Sequence, residues 1–292
     1  MSALALPPWF LESELGRRPP RECLFHVIPA PLERSVSYGS GTAAGPGAIL
    51  AASQQLELFD GEGQPGTRGI FTQAPLDCGG DPQIVLREIA ATVSRLVSLE
   101  KIPVILGGEH TVSLGAFLAL AERGRPAGIV QFDAHADLRE RYQDDPLSHA
   151  CVMRRAHELG LPIFQLGVRS LSPEEHAWRR EAGIGHLDAA RLAREGIPRP
   201  LLPDDFPQDI YITVDVDVLD PAVMPATGTP EPGGLTWYPL MEALESAISG
   251  RRVLGFDVVE LAPLPGLHAP DYTAARLVYN LMGLVERNAP SR

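Results

Sequence analysis

Short apolar runs alternate along the chain with longer amphipathic stretches, and most of the short runs end in polar or glycine-rich sequence. Ile102-Pro103-Val104-Ile105-Leu106 leads into Gly107-Gly108-Glu109-His110, and Gly128-Ile129-Val130-Gln131-Phe132 leads into Asp133-Ala134-His135-Ala136-Asp137. Ile163 to Val168 ends at Arg169-Ser170, Ile210 to Val214 at Asp215-Val216-Asp217, and Val253 to Val259 at Glu260. Runs this short, rich in β-branched residues and without clean alternation, predict strands buried on both faces. Between them lie segments with helical spacing of apolar residues: Pro82 to Leu99, Ser113 to Ala121, Ser172 to Ala182, Pro239 to Ile248 and Thr273 to Glu286. Alternation of this kind predicts an α/β fold, a parallel sheet with helices on both faces. Ligands of such sheets bind beyond the carboxyl ends of the strands, where every polar cluster named above falls. No repeat or long linker divides the chain, so a single domain over residues 1–292 is expected, with residues 1–30 as an N-terminal extension.

Composition narrows the classes. A formal net charge of −12 disfavours a nucleic-acid binder or a polybasic membrane anchor. With 45% hydrophobic and 21% charged residues the chain is too apolar for disorder. Cys23, Cys78 and Cys151 are odd in number, far apart and without CxxC spacing, which argues against a disulfide scaffold or a zinc ribbon. The start, Met1 to Pro8, lacks a basic stretch and is interrupted by Pro7-Pro8. Neither a signal peptide nor a membrane span is expected, and the reading is a cytoplasmic protein.

Asp133-x-His135-x-Asp137 sets three ligand-type side chains at i, i+2 and i+4. On an extended strand these point to one face, about 6–7 Å apart per step. Asp215-x-Asp217 repeats the pattern at another strand end, and His110 follows a Gly-Gly turn. Taken singly, a DxD is usually a solvated turn and a histidine after Gly-Gly a core residue. Together they give two imidazoles and four carboxylates at the same end of one sheet. Four converging carboxylates would repel and take up protons unless cations balanced them, and two divalent ions do so. Oxygen-rich ligands with two imidazoles suit Mn²⁺, while ligand type alone leaves Zn²⁺, Ni²⁺ and Co²⁺ open. A metal pair lowers the pKa of water, so the reaction class is metal-assisted hydrolysis.

These stretches resemble the ureohydrolase family of arginases and agmatinases, and the agmatinases most. The likeness extends to Gly39-Ser40-Gly41-Thr42-Ala43-Ala44-Gly45-Pro46, Ser148-His149-Ala150, Asp215 to Pro221, Gly228 to Leu235 and Asp257 to Pro263. It runs from about Pro31 to Leu284 in consistent order. The resemblance implies a three-layer α/β sandwich, a binuclear manganese site and a homo-oligomer, trimer or hexamer. It assigns His110, Asp133, Asp137 and Asp215 to one metal and His135, Asp133, Asp215 and Asp217 to the other. It also implies that His149 relays a proton to the leaving amine. Glu109 stands where many relatives have Asp; it is not a ligand, so its extra methylene is expected to shift an orienting contact and leave the metals in place.

A guanidinium stays protonated and resonance-stabilised, so water alone attacks it slowly. A carboxylate can clasp it bidentately, and Glu260, at a strand end, is the candidate from both position and resemblance. Hydrolysis would release urea and an amine. The loop from Leu138 to Ser148 carries three acids against two arginines and lacks the Asn and Ser pattern by which arginases read an α-carboxylate. That favours agmatine, cleaved to putrescine and urea, with guanidinobutyrate, arginine, guanidinopropionate and guanidine as alternatives. Two readings from other classes stand beside this one. A nucleotide-binding protein would use the glycines from Gly39 to Gly45, though their GxGxxxG spacing fits a turn before a helix near Pro46 better. A metal-bound but inactive scaffold subunit is the other.

Overall fold

The computed structural model of the chain describes residues 8–288. The first seven residues, on which much of the reading of the N-terminus rests, lie outside the described residues. Eight strands form one sheet: β1 (Phe25–Ala30), β2 (Ile70–Thr72), β3 (Ile102–Gly107), β4 (Gly128–Phe132), β5 (Ile163–Leu166), β6 (Gly185–Leu187), β7 (Asp209–Asp215) and β8 (Arg252–Val259). All pairings are parallel and the order across the sheet is β2-β1-β3-β8-β7-β4-β5-β6. The helices are α1 (Glu12–Leu15), α2 (Gly45–Ser53), α3 (Pro82–Ser98), α4 (Ser113–Ala121), α5 (Val152–Glu158), α6 (Pro173–Glu181), α7 (Ala189–Glu195), α8 (Trp237–Ile248) and α9 (Ala269–Arg287).

Helix boundaries follow local chemistry. Asp81 caps α3 by accepting from the Gln83 N–H, with Pro82 in the first turn. Ser172 and Glu175 form a reciprocal capping box at the start of α6. Two apolar cores lie on opposite faces of the sheet, which makes the architecture a three-layer sandwich. In one, Ile49, Leu240, Leu277 and Leu281 pack on Val104, Leu106, Ile212 and Val214. In the other, Ile89, Phe117 and Met153 pack on Ile105, Ile129 and Tyr211. Alternate residues of one strand thus feed opposite cores, and both sets are buried. No helix of the described residues is long and apolar enough to cross a membrane.

The strand order has one consequence that the site depends on. The strands that carry the predicted chemistry, β3, β8, β7 and β4, are consecutive in the middle of the sheet. Their carboxyl ends, about 4.8 Å apart from strand to strand, open on a single crevice.

Candidate metal centre

Each strand end delivers its side chains through a turn. After β3, Gly108 lies so close to the Leu32 carbonyl that a Cβ would sit 2.0 Å from its oxygen, so only glycine fits. The chain then enters a 3₁₀ turn at His110. Asp133, His135 and Asp137 lie beyond the end of β4, and Asp137 takes a left-handed conformation (φ 53°). The three residues therefore do not project from an extended strand at 6–7 Å intervals as the spacing predicts. The chain curls so that carboxylates and imidazole converge more tightly. Asp215 ends β7, and its Oδ1 accepts from the Asp217 N–H at 2.9 Å, opening the 3₁₀ turn that carries Asp217. Glu260 follows β8, also left-handed (φ 65°). Strain at two non-glycine residues of one cluster is a mark of a site held in place by its surroundings.

All six predicted ligand residues converge. His110 Nδ1 stands 3.0 Å from Asp137 Oδ2, 3.1 Å from Asp133 Oδ2 and 3.7 Å from Asp215 Oδ2. His135 Nδ1 is 2.9 Å from Asp217 Oδ2 and 3.7 Å from Asp133 Oδ1. His110, Asp133 and Asp137 form one group that could hold a metal ion, and Asp133, His135 and Asp217 form another, with Asp133 in both. Separations near 3 Å match the edge of an octahedron whose metal–oxygen bonds are about 2.1 Å.

The backbone orients these groups. Asp133 Oδ1 accepts from the His135 N–H at 2.6 Å and Asp217 Oδ1 from the Ala134 N–H at 2.9 Å. In each case Oδ2 is left turned toward an imidazole. His110 Nε2 is 2.8 Å from Thr213 Oγ1, whose hydroxyl donates to Asp257 Oδ1 at 2.6 Å. Thr213 has one hydrogen and gives it to Asp257, so it accepts from Nε2–H, and in the neutral ring the Nδ1 lone pair faces the carboxylates. That nitrogen is buried and has no hydrogen-bond partner, as suits an atom shaped for a cation.

Electrostatics carry the same message. Burial, then the neighbouring charge of Asp133, pushes Asp137 up to about 7. Burial, with Asp217, Asp133 and Glu260 close by, raises Asp215 well above the usual carboxylate range. Burial alone would lower both imidazoles, but the carboxylates overcome it: His135 is pushed up to about 12, and His110 well above its ordinary value. Burial would raise Asp133 too, yet contacts with the two imidazoles hold it low. Without metal, protons on histidine and aspartate take the place of cations that the cluster calls for.

The cluster borders a cavity of about 310 Å³ that His135, Asp137, Asp215, Asp217, His149 and Glu260 all line. Glu260 Oε1 accepts from the His110 N–H at 2.6 Å, and burial raises its carboxyl to about 8. His149 opens the turn before α5 and is held below its ordinary pKa, chiefly by burial. Arg139, from the loop after β4, also lines the cavity, lies over the Tyr142 ring and has its Nε 3.7 Å from Glu175. His157, eight residues past His149 in sequence, packs edge-on against Trp178 and has a structural place. The glycine segment adds no nucleotide cradle: Gly39 donates its N–H to the Gly228 carbonyl at 2.9 Å, and α2 begins at Gly45.

Ser35, Thr213, Asp257 and Gln131 join the site without having been expected from the sequence. Gln131 donates to Asp133 Oδ2 at 2.7 Å. For Thr213 and Gln131 a signal existed, since a polar residue inside a strand buried on both faces needs a partner. Ser35 sits in a loop whose sequence offers no such signal.

A family model described as the arginase family matches residues 24–283. The chain is 37% identical over 290 residues, 95% of this chain and 94% of the other, to an N(1)-aminopropylagmatine ureohydrolase of Synechocystis sp.. It is 31% identical to an agmatinase of Pyrococcus horikoshii, over 89% of this chain and 92% of that one. The crystal structure of an agmatine ureohydrolase of Thermoplasma volcanium superposes with a TM-score of 0.86 at 29% identity, covering 97% of this chain and 96% of that one.

Proposed function

The chain belongs to the arginase family and is a ureohydrolase acting on guanidino compounds, and on that premise we propose that it cleaves agmatine, or the N-aminopropyl derivative of agmatine, to urea and the free amine at a pair of Mn²⁺ ions. One observation carries the reading. Two ligand groups sharing Asp133 border the same cavity as Glu260, a carboxylate not needed to hold a cation.

His110, Asp133, Asp137 and Asp215 would hold one ion, and His135, Asp133, Asp215 and Asp217 the other. When bound, the metal pair supplies the Lewis acidity that makes water a nucleophile near neutral pH. Glu260 binds the guanidinium; the arriving cation favours its ionised form, and two parallel N–H···O bonds fix the guanidinium carbon over the cluster. The water oxygen ends on that carbon and the bond to the alkyl nitrogen breaks. His149, neutral by virtue of burial, takes a proton and hands it to the departing amine.

The substrate preference follows from the cavity lining. With the metal ions balancing Asp137, Asp215 and Asp217, Glu175 and Glu260 are the acids left in the lining. Its one guanidinium among the described residues, Arg139, is already engaged by Glu175 and Tyr142, so no free cation there awaits a carboxylate. A ligand with an amine at its far end suits that field better than one with a carboxylate. Relatives named for aminopropylagmatine support the longer amine as the second candidate. Three further readings attach to the proposal. Oxygen-rich ligands favour manganese. Free Cys23, Cys78 and Cys151 suit a reducing cytoplasm. A trimer or hexamer, as the family resemblance implies, is the third, and light scattering tests it.

The decisive assay is urea release by manganese-loaded protein from agmatine, N-aminopropylagmatine, arginine and guanidinobutyrate. One of the two amine-ended substrates is expected to exceed the two carboxylates in kcat/KM by at least about tenfold, the loss of about 1.4 kcal/mol. Preference for arginine or guanidinobutyrate would overturn the assignment.

A further inference from the structure

His149 can accept and deliver a proton at the cavity only if the ring nitrogen facing the substrate carries the lone pair. Its other nitrogen, Nδ1, lies 3.2 Å from Ser35 Oγ, and the same oxygen accepts from the His149 backbone N–H at 3.0 Å. Ser35 belongs to the loop after β1. That loop is tied down by Glu109, fully buried, whose Oε2 accepts from the Arg34 and Ser35 N–H groups at 2.6 Å each. Glu109 Oε1 accepts from the Ser35 hydroxyl at 2.9 Å and the Thr111 hydroxyl at 2.8 Å.

Proton counting decides the rest. A carboxylate only accepts, and a serine hydroxyl has one hydrogen. With that hydrogen given to Glu109, Ser35 Oγ faces His149 as an acceptor, so Nδ1 must donate. The neutral ring then carries its proton on Nδ1 and keeps Nε2 free to take one. Ser148 Oγ also approaches Nδ1, but at 3.4 Å.

We propose that Glu109, acting through the Ser35 hydroxyl, fixes the tautomer and orientation of His149, making Ser35 and Glu109 positioning residues for the proton relay. This rests on the relay role given to His149 above. The Glu109 side chain thus reaches donors on the loop after β1 and in its own 3₁₀ turn at once. The logic is that of a base oriented by a third group.

The test uses full-length, manganese-loaded protein and a double-mutant cycle. Ser35→Ala is expected to lower kcat with agmatine about 10- to 100-fold, the range for groups that orient a catalytic residue, with KM and metal content unchanged. Ser35→Thr, which keeps the hydroxyl, is expected to restore most of the loss. The Ser35→Ala/His149→Ala double variant should be no slower than His149→Ala alone, because Ser35 acts only through the imidazole. Ser148→Ala should stay within about twofold of wild type, as its 3.4 Å contact is the weaker one. Additive losses in the double variant, a larger loss from Ser148→Ala than from Ser35→Ala, or wild-type kcat in Ser35→Ala would each overturn the proposal. If His149→Ala itself turned over at the wild-type rate, the relay reading would fail instead, so the two failures are told apart.

Discussion

Strand β7 begins and ends with an aspartate, and the two ends behave in opposite ways. At its start Asp209 receives Arg252 Nε at 2.7 Å and Arg123 Nη2 at 3.1 Å, and its carboxyl lies below the usual range because those guanidiniums outweigh partial burial. At its end, six residues on, Asp215 faces Asp217, Asp133 and Glu260 within a fully buried cluster and is raised. Neither Lys nor Arg forms an ion pair with the acids of that cluster among the described residues. A carboxylate kept for stability arrives with its own cations. At the other end the chain supplies no such cation, and under the function proposed above metal ions take that position, which protons hold in their absence.

Several substitutions would break or sharpen this contrast. Asp215→Ala carries the largest expected effect: metal content measured by plasma emission falls, and kcat/KM drops more than about a thousandfold, beyond what loss of a single hydrogen-bond donor costs. Full metal occupancy in that variant would mean that Asp215 is not a ligand. Glu260→Gln should keep its metals and lose about 150- to 5,000-fold in kcat/KM, since breaking a buried, hydrogen-bonded charge pair costs about 3–5 kcal/mol. A loss under tenfold would place the guanidinium elsewhere.

Acid treatment separates the two ends by sign. Asp137, at about 7 when folded, lies above its unfolded value, so metal-stripped protein binds more protons folded than unfolded between about pH 4 and 7. Its melting temperature should therefore rise by at least about 2 °C between pH 8 and pH 5.5. Metal-loaded protein should lose stability over that interval as protons displace the cations. Parallel curves for the two forms would contradict the assignment. Asp209 has the reverse sign. Its folded value is depressed, so its contribution is complete above about pH 4 and lost below. Asp209→Asn, the smallest of these effects, should cost about 1–2 kcal/mol in denaturant unfolding and leave kcat and metal content unchanged.

Much of this was legible in the order of residues. The strands that carry the site were readable because each is a short apolar run stopped by a polar cluster, and β4 matches its predicted span of residues 128–132. The predicted strand from 163 to 168 ends two residues early, where Gly167 turns to φ 93°. Strands β2 and β6 were not readable: three residues each cannot display a period. Strand β1 is buried throughout, but His26 and Pro29 disguise it as something other than an apolar strand. Helices α5 and α7 are seven residues each, below the length at which helical spacing stands out. The proposed ligand residues were legible as types at fixed spacing. Their meeting at one end of the sheet was expected as well; the tight geometry of that meeting was not, because it depends on the crossovers that place β3, β8, β7 and β4 side by side, and on left-handed turns at Asp137 and Glu260. Ser35 reaches His149 across 114 positions of sequence, and no local pattern announces such a contact.

Under the proposed function this cluster would hold two cations, with Asp133 belonging to both ligand groups. Anomalous diffraction from crystals grown with Mn²⁺ tests it most directly. The account predicts two anomalous peaks, one beside His110 and Asp137 and one beside His135 and Asp217, with Asp133 touching both; a single peak, or His110 turned away from Asp133, would contradict it.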